Sequence, residues 1–97
     1  MIDREMFCVF MYINFNRKDE FKKFCEEREE WESLLRLGEN LYKLECAILK
    51  DERIIIIEKY KDQESYNNFY KKNKLKKWKR KLERMDICIK KKYYMIH

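Results

Sequence analysis

An α+β domain of element order βαββαβ is predicted, on three features of the chain. Residues Met6–Phe15 are apolar on both alternating faces, residues 54–57 are four consecutive isoleucines, and the stretches between the strand signals repeat apolar residues at helical spacing. The 97 residues contain one glycine and no proline, which suits a single domain over residues 1–97 with regular elements and short polar turns. A domain of this size buries only about 60 to 70% of its extended surface, so a partner subunit would add useful cover.

Strand one sets Phe7, Val9, Met11, Ile13 and Phe15 against Cys8, Phe10 and Tyr12, so both of its faces need cover. Asn16 is placed to cap the first helix, and Asp19 and Glu20 fall where the positive end of the helix dipole favours acids. Phe21, Phe24, Cys25, Arg28, Trp31 or Glu32, and Leu35 follow the helical repeat and give one apolar stripe. Gly38 sits where a left-handed C-terminal cap is expected. Strand two, Leu41–Leu49, sets Tyr42, Leu44, Cys46 and Ile48 against Lys43 and Glu45, with Leu41, Ala47 and Leu49 making that second side partly apolar. Lys50 to Arg53 reads as a hairpin tip leading into strand three, Ile54 to Tyr60. Asp62, or alternatively Ser65, caps the second helix, whose spacing runs through Tyr66, Phe69, Tyr70, Leu75, Trp78, Leu82 and Met85 with a bend near Asn73. Ile87 and Ile89 mark the last strand, which continues through Tyr93 and Tyr94 to Ile96.

Two helices on one face of a four-stranded antiparallel sheet make the ferredoxin-like plan, in which right-handed crossovers join strands one to two and three to four. Helices cover one face only, whereas strand one, and strand two to a lesser degree, offer apolar residues to both. A second sheet is the economical cover, so the expected partner is a second copy bound through the sheet faces.

Three segments extend the reading: Leu41-Tyr42-Lys43-Leu44 after the Gly38 turn, the run from Ile57 through Glu58, Tyr60, Asp62 and Ser65 to Tyr66, and Leu75-Lys76-Lys77-Trp78. On these the chain, from about Phe7 to Ile89, resembles the antibiotic biosynthesis monooxygenase family of dimeric α+β barrel proteins. The resemblance implies dimers whose sheets form a shared barrel, with a pocket in each subunit between sheet and helices. It also implies oxygen-dependent oxidation of a quinol-like or polyphenolic aromatic without metal or organic cofactor, or a non-catalytic small-molecule binder of the same fold. The chain departs from the family's pattern in its histidines, whose usual places fall on Phe69 and Lys74; the sole histidine is the terminal His97. The haem-degrading branch places an asparagine on strand one, where this chain is apolar, and Trp78 falls where the family has a core aromatic. The implied pocket is shaped by Tyr66, Phe69 and Trp78, with Lys74 as a polar contact, and no catalytic residue is assigned. Because the sole histidine is the terminal residue, no Ser/His/Asp triad is expected, and with one glycine no phosphate-cradling loop is expected.

Charge supplies an alternative function. Lys71 to Lys92 holds 12 basic residues against Glu83 and Asp86, whereas residues 1–49 hold 8 basic and 11 acidic residues. Such asymmetry suits a non-catalytic interaction protein that engages nucleic acid or an acidic partner through its basic C-terminal region. Strand three lacks the glycine and paired aromatics of RNA-recognition modules. Lys76 to Lys81 has the composition of a nuclear-targeting run or a basic membrane-surface helix, but Leu75, Trp78, Leu82 and Met85 have the spacing of a core-facing one. The acidic run Glu26 to Glu32 is read as a solvated face able to complement the second helix across a subunit boundary. Cys8, Cys25, Cys46 and Cys88 lack the close spacing of zinc or redox motifs and read as small buried residues of a reducing compartment, with no metal expected. No leader-like segment and no run of about 20 apolar residues is present, so a cytoplasmic location is expected.

Overall fold

The computed structural model describes residues 6–96, so His97 lies outside the described residues. The elements are β1 (Met6–Phe15), α1 (Lys18–Glu26), α2 (Arg28–Leu35), β2 (Leu41–Leu49), β3 (Arg53–Tyr60), α3 (Gln63–Tyr70), α4 (Lys74–Glu83) and β4 (Ile87–Ile96). The four strands form one sheet in the order β2-β3-β1-β4 with every neighbouring pair antiparallel, which is the ferredoxin-like arrangement. Alternation along β1 and β3 sends Val9, Met11, Ile13, Ile54 and Ile56 into the core under the helices. Among the described residues, nothing roofs the other face of the sheet in this way. Phe10, Tyr12, Ile55 and Ile57 are half-buried there, and Tyr94 and Ile96 are exposed.

Each expected helix is two. The second breaks at residues 71–73, as the bend near Asn73 predicted. The first breaks at Glu27, where φ is −90° and ψ is 11°. Carboxylates at Glu26, Glu27, Glu29 and Glu30 repel one another at i, i+3 and i, i+4 spacing. The break also lets the Trp31 indole donate to the Phe24 carbonyl at 2.9 Å. Asp62 caps α3 by accepting from the Ser65 amide at 2.8 Å.

Several local expectations are overturned. Asn16 caps no helix: its Nδ2 donates to Asp86 Oδ1 at 2.8 Å and its amide to the Asp86 carbonyl at 3.0 Å, tying the end of β1 to the start of β4. Gly38 is not left-handed, and α2 ends on the right-handed Arg36; the left-handed residue of this turn is Asn40, with φ 60°. Glycine at 38 relieves crowding instead, because a Cβ there would lie 3.0 Å from Cδ2 of the Phe69 ring, which would have to give by a few tenths of an ångström. A bulge between Leu41 and Lys43 turns Tyr42 out of the alternation, leaving it exposed and giving Leu41 its place across from Tyr60. Cys8 is buried as expected, but Cys88 is exposed, on the edge strand β4. All four cysteines are free thiols, and burial raises the Cys46 thiol to about 11.

The hairpin tip forms where expected, with Asp51 and Glu52 both left-handed at φ 63° and 55°. Such a backbone strains residues that carry a Cβ, and the Glu52 carbonyl is needed to accept from Phe15 N at 2.9 Å. Glu52→Gly is therefore expected to stabilise the fold by about 0.5 to 1 kcal/mol, after the greater chain entropy of glycine is counted. An unfolding midpoint in urea below that of the wild type would contradict this account.

Candidate active site

The β3 alternation that buries Ile54, Ile56 and Tyr60 also buries Glu58, which is 1% exposed. An acid so placed needs a donor, because desolvation without hydrogen bonds is costly. Tyr70, in the last turn of α3, supplies one: its hydroxyl donates toward Glu58, with Oε1 at 2.7 Å and Oε2 at 2.8 Å. Val9 of β1 stands beside Glu58 on one side and Tyr93 on the other, and Met11 pairs with Lys91, so β4 reaches the same cluster across β1. Lys91 Nζ lies 4.7 Å from the centre of the Tyr70 ring and donates to the Tyr66 hydroxyl at 3.3 Å. Lys79 of α4 donates to the Tyr70 carbonyl at 2.6 Å. The Tyr60 hydroxyl is buried without a hydrogen-bond partner among the described residues.

Electrostatics follow from this burial. Desolvation pushes the Glu58 carboxyl up to about 7, against the opposing pull of the Tyr70 hydrogen bond and the Lys91 charge. Burial and the neighbouring carboxylate push the Tyr60 and Tyr70 phenols upward. Burial lowers the Lys91 ammonium, and Glu58 partly offsets that. A carboxyl that titrates near neutrality and is bonded to a tyrosine hydroxyl can accept a proton through that hydroxyl at physiological pH.

An opening of about 390 Å³ between α4 and β4 leads to this cluster, lined by Met11, Tyr70, Trp78, Lys79, Leu82 and Lys91 among others. A larger groove of about 740 Å³ lies between α2 and α4, lined by Trp31, Leu34, Leu37, Lys74, Lys77 and Trp78 among others. The four residues expected to share one pocket are divided between these places. Trp78 lines both openings, and Lys74 lines the α2/α4 groove. Tyr66 belongs to the Glu58 cluster, while Phe69 is core, lying under Gly38 and 6.5 Å from the Tyr60 ring centre. Glu58, Lys79 and Lys91 were missed as site residues. Glu58 could have been found by counting register, since it is in phase with Ile54 and Ile56.

The basic stretch also has a clear placement. Leu75, Trp78 and Leu82 are buried, so the spacing in α4 serves the core, while Lys76, Lys77, Lys79 and Arg80 are exposed. Lys81 pairs with Glu27, so the acidic and basic helices complement each other within one subunit rather than only across a boundary. Among the described residues, no group of three His, Cys, Asp or Glu side chains could hold a metal ion. No helix among them is long and apolar enough to cross a membrane.

No family model and no curated protein matches the chain. Solved structures do match over nearly the whole length. A conserved protein of unknown function from Bacteroides thetaiotaomicron, described as a possible oxidoreductase, superposes with a TM-score of 0.80 at 11% identity, covering 97% of this chain and 100% of the other. A Deinococcus radiodurans protein assigned as an antibiotic biosynthesis monooxygenase gives 0.82 at 6% identity, covering 94% and 92%. A dimeric ferredoxin-like protein from an uncultured marine organism gives 0.69 at 17% identity, covering 94% of each chain. The fold of this chain is thus the ferredoxin-like α+β fold shared by proteins assigned as antibiotic biosynthesis monooxygenases and by dimeric ferredoxin-like proteins.

Proposed function

We propose that the protein is a divergent relative of the antibiotic biosynthesis monooxygenases, a homodimer in which each subunit binds a small phenolic or quinol-like aromatic in the α4/β4 opening and oxidises it with dioxygen. The observation that carries this reading is a buried carboxyl, raised to about 7 and joined to the hydroxyl of Tyr70, a residue that lines the opening. The substrate hydroxyl gives its proton to the Tyr70 oxygen as the Tyr70 proton passes to Glu58, and the phenolate left behind is electron-rich enough to react with oxygen. One oxygen atom bonds to a ring carbon, the O–O bond breaks, and the displaced ring hydrogen and the phenolic proton leave with the other oxygen as water, giving a quinone. Proton abstraction by this pair needs no group from outside the chain. Homodimerisation is supported by the unroofed sheet face and by the dimeric ferredoxin-like neighbour.

Oxygen uptake with a panel of quinols and polyphenols tests the reading. The expected rate exceeds that in buffer, rises as pH passes through about 7, and falls at least about tenfold in Tyr70→Phe and Glu58→Gln with the circular dichroism unchanged. A rate equal to buffer across the panel would remove the oxygenase. The second reading, polyanion binding by the exposed Lys76, Lys77 and Arg80 face of α4, would instead show affinity for nucleic acid that falls steeply between low and physiological salt.

A further inference from the structure

The unroofed sheet face can be mapped from its pairing register. Four rows cross it in the order β2, β3, β1, β4: Leu49-Arg53-Asn14-Cys88, Ala47-Ile55-Tyr12-Lys90, Glu45-Ile57-Phe10-Lys92 and Lys43-Lys59-Cys8-Tyr94. The middle is apolar and aromatic. Lys90 and Lys92 lie along the β4 edge, and Glu45 on the β2 edge is the only acid among the sixteen positions.

We infer that two copies pack face to face about a twofold axis running parallel to the strands, with Lys92 of each subunit paired with the partner's Glu45. This inference rests on the homodimer reading and adds its geometry. Sheets that pack aligned, about 10 Å apart, leave a twofold axis either along the strands or across them. With the axis across the strands, β4 faces the partner's β4. Lys90 and Lys92 then lie over the partner's Lys92 and Lys90, which puts four ammonium groups into one strip with no acid facing them. With the axis along the strands, β4 faces the partner's β2 in the same row. Lys92 meets the partner's Glu45, Lys43 meets the ring of the partner's Tyr94, and Phe10 and Tyr12 meet the partner's Ile57 and Ile55. Only this arrangement sets each Glu45 against a lysine of the other subunit and keeps the lysine strips apart. Glu45 is ready for it, because Lys43 already holds it at 2.7 Å and draws its carboxyl below the usual range.

Sedimentation equilibrium at low salt tests the pairing in wild type, Glu45→Lys, Lys92→Glu and the double variant. Circular dichroism and the urea midpoint report whether each subunit stays folded. Each single variant is expected to weaken dimerisation about tenfold or more, and the double to recover to within about threefold of wild type. A double variant at least as weak as the singles would overturn the pairing. So would tighter dimerisation by Lys92→Glu alone, which is what an axis across the strands gives by setting the new acid against the partner's Lys90. A wild-type chain that stays monomeric at micromolar concentration would instead remove the homodimer reading itself.

Discussion

Glu58→Gln is expected to abolish a decline in stability that the wild type shows between about pH 4.5 and pH 7. In the folded chain burial raises the carboxyl from 4.5 to about 7, whereas in the unfolded chain it titrates near its ordinary value. Between those two values the folded state holds a proton that the unfolded state has released, so stability falls as pH rises across that window. The protonated acid's contribution is complete below about 4.5 and lost above about 7. The interval of roughly 2.5 units corresponds to about 3 kcal/mol, a large part of the roughly 5 to 15 kcal/mol that stabilises a domain. The other groups facing Glu58 are the phenols of Tyr60, Tyr66 and Tyr70 and the ammonium of Lys91. The phenols are pushed upward, so they stay neutral through this range. Glutamine matches the protonated acid in shape and keeps an acceptor for Tyr70. The variant is therefore expected to resemble the wild type near pH 4.5 and to exceed it by up to about 3 kcal/mol near pH 8. Urea unfolding at a fixed protein concentration across this range measures the difference, and parallel curves for the two proteins would mean that Glu58 stays ionised when buried.

The same residue shows where sequence reading stops. Element order and sheet plan were legible because β1 and β3 are dense in apolar residues at strand period and the helices at helical period, signals that depend only on neighbours in the chain. Asp62 was legible for the same reason, since its bond to the Ser65 amide closes within three residues. Asn16, Gly38 and Tyr42 were misread because their roles are set by distant partners. Asp86 binds Asn16 from 70 residues away, the Phe69 ring crowds the place of a side chain at Gly38, and a bulge against β3 turns Tyr42 outward. The candidate site is of this second kind. Tyr70 and Lys91 reach Glu58, and Lys79 reaches the Tyr70 carbonyl, only through tertiary contact, although register alone would have placed Glu58 on the inner face. Lys74 and Trp78 were read as neighbours and do share a groove, on the outer side of the helices.

Phe24→Ala is expected to cost about 3 to 5 kcal/mol, the range for removing a fully buried aromatic ring from a packed core. Phe24 is 0% exposed and sits where four elements meet. Its ring centre is 4.8 Å from Trp31 of α2 in a stacked arrangement, 5.3 Å from Phe15 of β1 and 5.6 Å from Trp78 of α4. Each such pair contributes about 0.5 to 1.5 kcal/mol beyond area burial, so losing three at once places the variant at the upper end of that range. The break at Glu27 amplifies the effect, because α1 and α2 are joined by one turn and held in place by Trp31, whose indole is bonded to the Phe24 carbonyl. Phe24→Leu keeps most of the volume and is expected to cost about 1 to 2 kcal/mol. The folded Phe24→Leu protein also tests the site, since Trp78 forms a wall of the opening toward Glu58 and loses a packing partner. Substrate affinity should fall in this variant while the pH dependence of the rate stays in place, because the proton acceptor is untouched. A loss below about 1 kcal/mol in Phe24→Ala, measured by urea unfolding, would show that the aromatic cluster does not hold the helices to the sheet.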